Sequence, residues 1–484
     1  MLRRLDIAGV LWLSPVAAMA VALGLIAGVD PPAALVVSLG IGYVLLSFSN
    51  LAAGFAVFVF IGFLEVLTIG GVASASAGKV VGALLALSWL AAMIQEQRDG
   101  TRPRDIFRVH PAYCGLLLVF LGWALLSITW AEQPSVGALN ASRYAINLAV
   151  FPVAFTALSR ERHVGWVLWA FVLGALASVA YGLFGPVQDS DDIGRLSGAG
   201  VNANDLAVLL VGGGVFAAAI AATASRPHLR LGATMAGVLC LVALLLTQSR
   251  AGLVALAVAL FASLLIAKRR RGAVVAAGLV AVALVVGYLG AVASPQAQDR
   301  LTAELATGTG RTDLWTLGLR VVEDRPILGA GIGNFGATSQ LYVLEPGALE
   351  SRNIITKADE PRVAHNIYLE MFAELGVIGF ALFAMLLAWP LAITLRAARS
   401  FLRQGNLRME ILTRALFAAQ AAALAAGFFA SLQYNKQLWL VLALGPVMAA
   451  FADANGGVQR QPTPSSAYTP RVPLTIASSV KRSW

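Results

Sequence analysis

Four residues in the second half of this 484-residue chain carry side chains suited to chemistry on an anion: Arg195, Arg250, Arg311 and His365. Guanidinium groups bind oxyanions through paired hydrogen bonds and stay charged at any working pH. Histidine is a base that titrates close to neutrality. Three arginines and one histidine brought together would hold an anion and move a proton beside it. Each has suggestive neighbours. Arg195 opens RLSGAGVNAND, which supplies Asn202 and Asn204; Ser249 precedes Arg250 in a turn of a few residues; Trp315 follows Arg311; and Asn366 follows His365. Asp205 is placed to cap the helix that begins there, its carboxylate accepting from free N–H groups of the first turn.

Taken singly, each residue also has a plainer reading. An interfacial histidine is more often hydrogen-bonded structure than a catalyst. Arg195 could anchor to a phospholipid headgroup and Arg250 could snorkel to the interface. Gly329, Gly331 and Gly333 are enough to make a tight turn. The functional reading depends on all of them sharing one side of a membrane.

The membrane follows from composition. The chain is 58% hydrophobic and only 12% charged, whereas a soluble domain carries roughly 25% charged residues. The net charge of +10 comes from short basic clusters between apolar runs, with no aromatic-interleaved basic face, so nucleic acid is not an expected partner. Cys114 and Cys240 lie far apart in apolar stretches and read as buried thiols. With four histidines and no HExxH or CxxC, neither a metal nor a cofactor is expected.

A helix needs about 20 apolar residues to cross the hydrocarbon core. Fourteen such cores are expected: 8–29, 33–48, 51–72, 78–95, 111–130, 141–158, 164–185, 204–223, 231–248, 252–267, 272–293, 376–395, 411–432 and 437–453. Ala17–Ala20 resembles a signal-peptide cleavage site, but the apolar run continues past it and reads as a first span. The fold class is all-α: a polytopic transmembrane helical bundle of about 12–14 spans with a large outer-face loop region containing short amphipathic helices. About eleven spans fill 1–293, the outer region is 294–365, further spans fill 366–454, and 455–484 reads as a disordered cytoplasmic tail.

Arginine and lysine counts orient the bundle. Positive charge concentrates in the connections 96–110, 159–163, 224–230, 268–271 and 396–410. With these in the cytoplasm, both termini are cytoplasmic and Arg195, Arg250, Arg311 and His365 all lie outside. Within the outer region, Leu314, Trp315, Gly318, Val321 and Val322 share one helical face, predicting a surface helix with Trp315 at headgroup level. His365 follows Pro361 and is expected in the first turn of a helix, with Asp359 and Glu360 at the same positive end and Gly376 ending or kinking it.

Four segments together resemble the O-antigen ligase and polymerase family of bacterial membrane glycosyltransferases: RLSGAGVNANDLA at 195–207, TQSRAG at 247–252, GRTDLWTLGLRVVEDRPILGAGIGNF at 310–335 and AHNIYLEMFAELGVIG at 364–379. The first half of the chain matches only as a series of membrane helices, and Ala203 stands where relatives often have proline. The resemblance implies transfer of a glycan from undecaprenyl diphosphate to a sugar hydroxyl on the outer face of the bacterial inner membrane, without a metal. In ligases the acceptor is lipid A–core; in polymerases it is another lipid-linked unit. By the same resemblance Arg195, Arg250 and Arg311 contact the diphosphate and His365 acts on the acceptor, supported by Asn202, Asn204, Ser249, Trp315 and Asn366.

The residue types suit that reaction. A diphosphate leaving group is stabilised by guanidinium groups and needs no proton as it departs. The acceptor hydroxyl does lose a proton, and a neutral histidine can take it. In-line attack inverts the anomeric centre; a covalent route through Asp359 or Glu360 is the lesser alternative. A lipid-linked sugar transporter is the reading from another class, but its polar residues would line midplane helices of a repeated fold. Membrane lipids are the expected surroundings, and one subunit holds the whole site, implying a monomer.

Overall fold

Apolar runs bounded by proline or by Asn, Asp and Ser predict helices with defined ends, and helices are what form. A computed structural model describes residues 19–66, 76–98, 104–185, 194–267, 271–302, 311–342 and 363–459. The N-terminal group is α1 (Met19–Val29), α2 (Pro31–Ser49), α3 (Leu51–Ile61) and α4 (Ala77–Arg98). The single turn α5 (Ile106–Val109) leads into α6 (Pro111–Leu126), α7 (Pro134–Ala157) and α8 (Glu161–Phe184). Next come α9 (Ala203–Thr223), α10 (Pro227–Leu246), α11 (Arg250–Ile266) and α12 (Arg271–Ala291). Three short helices, α13 (Pro295–Thr302), α14 (Arg311–Asp324) and α15 (Phe335–Gln340), precede α16 (Ile367–Gln404), α17 (Leu407–Ala426) and α18 (Lys436–Gln459).

Every expected span falls on a helix, the first described only from Met19. Among the described residues nine helices are long and apolar enough to cross a membrane, and α1, α2, α3 and α11 are shorter apolar helices. The protein is therefore an all-α, multi-pass membrane protein. Several boundaries differ from expectation, among them those of α3, α7, α16 (Ile367–Gln404 against 376–395) and α17 (Leu407–Ala426 against 411–432). The span expected over 51–72 ends at Ile61, where Gly62 opens a turn, and residues beyond 66 lie outside the described set. α7 starts at Pro134, not at 141, because proline suits the first helical position and the polar Asn140 and Arg143 are tolerated inside the helix. The tail from 460 also lies outside the described residues.

α9 is the hub, packed by α8, α10, α11 and α17, while α16 packs on α6, α17 and α18. Small residues let the backbones approach, as membrane helices require: a Cβ on Gly252 would come within 2.6 Å of the Ala207 Cβ. Trp439, Tyr113, Tyr144, Phe151 and Phe383 fill the centre of the main core. By contrast α12 buries Ala281 but leaves Leu279 and Val286 more than half exposed, an apolar face suited to lipid.

α16 has 38 residues, about 57 Å at 1.5 Å per residue, well beyond a hydrocarbon core of about 30 Å. Gly376 breaks it at φ 64°, ψ −171°. The short piece before the break belongs to a cap with its own small core of Leu317, Val321, Ala330, Phe335, Tyr342, Ala364 and Ala373. The cap sits at the end of the bundle where α8 finishes and α9, α11, α16 and α18 begin. The opposite end carries Arg104, Arg160, Arg162, Arg226, Arg230 and Arg408.

Candidate active site

The candidate residues fall into two groups at the cap end. The first is built where the loop 194–202 lies on the α10–α11 turn. Backbone bonds set the register: Leu196 N–H donates to the Leu246 carbonyl (3.0 Å) and Gly198 N–H to Val201 (2.8 Å). Arg195 then donates from Nε to the Thr247 carbonyl and from its second terminal nitrogen to Asn204 Oδ1, both at 2.9 Å. Asn204 Oδ1 also accepts from Ser249 Oγ (2.8 Å). One amide oxygen thus ties Arg195 to the turn that carries Arg250, the first residue of α11. Ser249 caps that helix, accepting from Gly252 N–H (3.2 Å).

The cap of α9 corrects the expectation for Asp205. Asn202 performs it, its Oδ1 accepting from Asn204 and Asp205 N–H at 3.0 and 2.9 Å. Asn202 is the extended residue just outside the helix, whereas Asp205 already lies in the first turn, where its carboxylate also favours the positive end of the dipole.

The second group is built on the glycine turn. Gly329, Gly331 and Gly333 all have left-handed φ values of 71°, 93° and 72°. Their loop pairs with the end of the short piece of α16: Ala330 N–H donates to Ala373 O (2.9 Å), Gly331 N–H to Glu374 O (2.8 Å), and Val377 N–H to Pro326 O (2.9 Å). No side chain fits between them; a Cβ on Gly329 would lie 2.4 Å from Glu374 O. The buried Glu374 carboxylate accepts from Gly333 N–H (2.8 Å) and Phe335 N–H (3.2 Å). Asn334 Oδ1 accepts from Gln133 N–H (2.7 Å), fixing the turn to the start of α7.

α14 lies on this platform. Its most buried residues are Leu317 and Val321, and Gly318 packs against Leu369. The expected face was therefore right at Gly318 and Val321 but missed Leu317. The half-buried Trp315 donates its indole N–H to the Ala364 carbonyl (3.0 Å). A partly buried indole donor needs a partner, and the backbone beside it supplies one.

His365 follows Ala364 directly and precedes the helix instead of occupying its first turn. Asn366 takes the cap position, its Oδ1 accepting from Tyr368 N–H (3.1 Å) and Leu369 N–H (3.2 Å). An asparagine one residue after the histidine is the stronger cap, so the helix starts at Ile367. Asp359, Glu360 and Pro361 lie outside the described residues, as does the Arg311 side chain, although Arg311 begins α14. His365 is held at φ 48°. Its peptide is clamped on three sides: Ala364 N–H donates to Glu370 Oε2 (3.1 Å), Ala364 O accepts from Trp315, and Ile367 N–H donates to Gly427 O (2.8 Å). Glu370 is buried and also accepts from Ser431 Oγ (3.3 Å) and Gln433 Nε2 (2.7 Å).

Glu370 and Glu374 are the residues that sequence reasoning missed. Two carboxylates one helical turn apart beneath a histidine were a usable signal in HNIYLEMFAE. Both groups also contain a strained residue: His365 and Gln248 (φ 51°) are the non-glycine residues with positive φ among the described ones. Such conformations cost about 1–3 kcal/mol and cluster at functional sites.

The segment 427–437 lies between the groups. On one side it meets Glu370 and Ile367; on the other, Lys436 pairs with Glu65 (3.1 Å), against whose Cβ Gly200 is packed. Arg195, Asn202, Asn204 and Ser249 thus form one hydrogen-bonded set with Arg250 next in the chain, and Trp315 is tied to Ala364 beside His365 and Asn366, at the same end of the bundle.

Comparison with known proteins bears on this arrangement. Residues 235–384 match the family model described as O-antigen ligase. The matched region runs from α10 through the glycine turn into α16, taking in Ser249, Arg250, Arg311, Trp315, His365 and Asn366 while leaving out Arg195, Asn202 and Asn204. No curated protein matches the chain. The match to the O-antigen ligase model is thus confined to residues 235–384, within a helical membrane architecture whose other helices it does not cover.

Proposed function

We propose that this protein transfers a glycan from undecaprenyl diphosphate to a sugar hydroxyl at the periplasmic face of the bacterial inner membrane, and that the reaction is ligation of O-antigen to lipid A–core. The observation that carries the reading is the fixing of Arg195, through Asn204, onto the turn that bears Arg250. Two arginines, one anchored and the other on the turn it is anchored to, suit a diphosphate better than a single carboxylate or a neutral sugar. Arg311 is assigned to the same diphosphate.

His365 is the general base. It deprotonates the acceptor hydroxyl as that oxygen attacks the anomeric carbon; the carbon–oxygen bond to the diphosphate breaks, and the diphosphate leaves with the electron pair. Attack from the opposite face inverts the centre. Asn202, Asn204, Ser249, Trp315 and Asn366 hold these groups in place. The arginine-rich end is cytoplasmic under the positive-inside rule, which puts the termini there and the cap outside. A monomer suffices, and no metal takes part.

The test is transfer by purified protein from undecaprenyl-diphosphate glycan to lipid A–core or to a second lipid-linked unit, with EDTA present. Product on lipid A–core supports ligation, whereas longer lipid-linked chains make the protein a polymerase. His365→Ala should cost about 10²–10⁴-fold in rate, and a folded variant with full activity removes His365 from the chemistry.

A further inference from the structure

α7 carries polar residues where a membrane helix should have none. Asn140, Arg143 and Asn147 lie at i, i+3 and i+7. The two asparagines are buried and committed to structure: Asn140 packs against Gly333, and Asn147 Nδ2 donates to the Tyr434 carbonyl (3.3 Å). Arg143 is different. It is exposed, donates to Asn140 Oδ1 (3.1 Å), and rests its guanidinium 5.6 Å above the centroid of the Tyr434 ring. No carboxylate pairs with it among the described residues. The bond to Asn140 turns the side chain toward the cap end. Its exposed flanks on α7 are apolar: Leu139 is 54% and Ile146 63% exposed.

A cation on the lipid-facing wall of a bundle is costly without a counter-ion. An apolar strip with one unpaired guanidinium fits an amphiphile that carries phosphate on a long chain. Tyr434 belongs to the segment that ends at Lys436 and, through Gln433, holds Glu370. We propose that Arg143, seated on Tyr434 and flanked by Leu139 and Ile146, is a capture site for a polyprenyl phosphate or diphosphate lipid arriving sideways from the bilayer. The inference rests on the transferase reading, which supplies such a lipid. The phosphate can belong to the donor's diphosphate or to a phosphorylated lipid acceptor.

Tyr434 sharpens the test, because its hydroxyl is buried without a hydrogen-bond partner. Only the ring is used, so Tyr434→Phe should bind like the natural protein and Tyr434→Ala should not. The probe is undecaprenyl diphosphate, titrated onto the full-length protein in phosphatidylcholine nanodiscs. Arg143→Ala should weaken binding about tenfold or more, the value of a charged hydrogen bond, and Arg143→Lys should recover part of it. If Arg143→Ala misfolds, Arg143→Gln and Tyr434→Ala are read instead. Raised KM for donor or for a phosphorylated lipid acceptor supports the site and tells which lipid uses it. Unchanged binding in Arg143→Ala overturns the site, as does equal competition by phosphatidylglycerol, which would make Arg143 a general headgroup anchor. Arg195→Ala separates the two readings. If it weakens binding while Arg143→Ala does not, only the capture site falls; if neither weakens binding, the diphosphate assignment in the transferase reading falls as well.

Discussion

Glu370 offers a test of whether geometry or charge holds the His365 loop. Its Oε2 accepts from Ala364 N–H and Ser431 Oγ, and its Oε1 from Gln433 Nε2. Glu370→Ala strands the Ala364 N–H and the Gln433 amide in a buried site. At about 1–3 kcal/mol for each buried unsatisfied group, the loss is about 2–6 kcal/mol, a large share of a stability of about 5–15 kcal/mol. Glu370→Gln should be far milder. Gln433 Oε1 is buried without a partner, so a rotated Gln433 amide can accept from the amide nitrogen that the substitution introduces. The introduced amide oxygen then keeps Ala364 and Ser431. One unsatisfied Gln433 nitrogen remains, at about 1–2 kcal/mol. Thermal unfolding of detergent-solubilised protein and glycan-transfer rates should therefore rank the natural protein first, Glu370→Gln second and Glu370→Ala last. Adding Gln433→Ala to Glu370→Gln should fall back toward the alanine variant. If Glu370→Gln is as damaging as Glu370→Ala in both assays, the charge and not the hydrogen-bond set is what matters, and this reasoning fails.

Three further outcomes are expected. Asn204→Ala should raise the donor KM about tenfold, since Arg195 loses a charge-assisted bond, while Asn204→Asp should not; equal KM values in a transfer assay would remove Asn204 from the site. Gly376→Ala should lower the yield of monodisperse protein and destabilise it by about 3 kcal/mol or more, because a Cβ there would sit 2.0 Å from the Ile327 carbonyl; a normal melting curve would contradict the pairing of the glycine turn with α16. In whole cells, an impermeant maleimide should label Leu328→Cys but not Phe107→Cys, with little background from the buried Cys114 and Cys240; the reverse pattern inverts the orientation.

The spans were legible because twenty apolar residues in a row leave few alternatives. Ser249 and Arg250 were legible as a tight turn for the same reason: the runs on either side leave only a few residues between them. α7 was harder, since Asn140, Arg143 and Asn147 dilute its apolar signal and the burial of the two asparagines depends on neighbours distant in sequence. Competition between adjacent caps decided the positions of Asp205 and His365, where Asn202 and Asn366 hold the better places. Leu317 was missed because amphipathicity identifies an apolar face but not whether lipid or protein covers it. The spacing of Glu370 and Glu374 was a local signal, but what they hold was not, because Gly333, Phe335, Ser431 and Gln433 are distant in sequence.

The pairing of Pro326–Gly331 with Ala373–Val377 also fixes an order of assembly. Those backbone bonds join stretches of chain that leave the ribosome far apart in time, and their later half is synthesised as the leading edge of α16. Until α16 enters the membrane, the glycine turn has no Glu374 to bind and α14 has no Leu369 to rest on. A chain stopped before α16 would thus hold a bundle with an unfinished cap; α16 would bring the platform, and the His365 loop would be clamped only when Gly427, Ser431 and Gln433 followed behind α17.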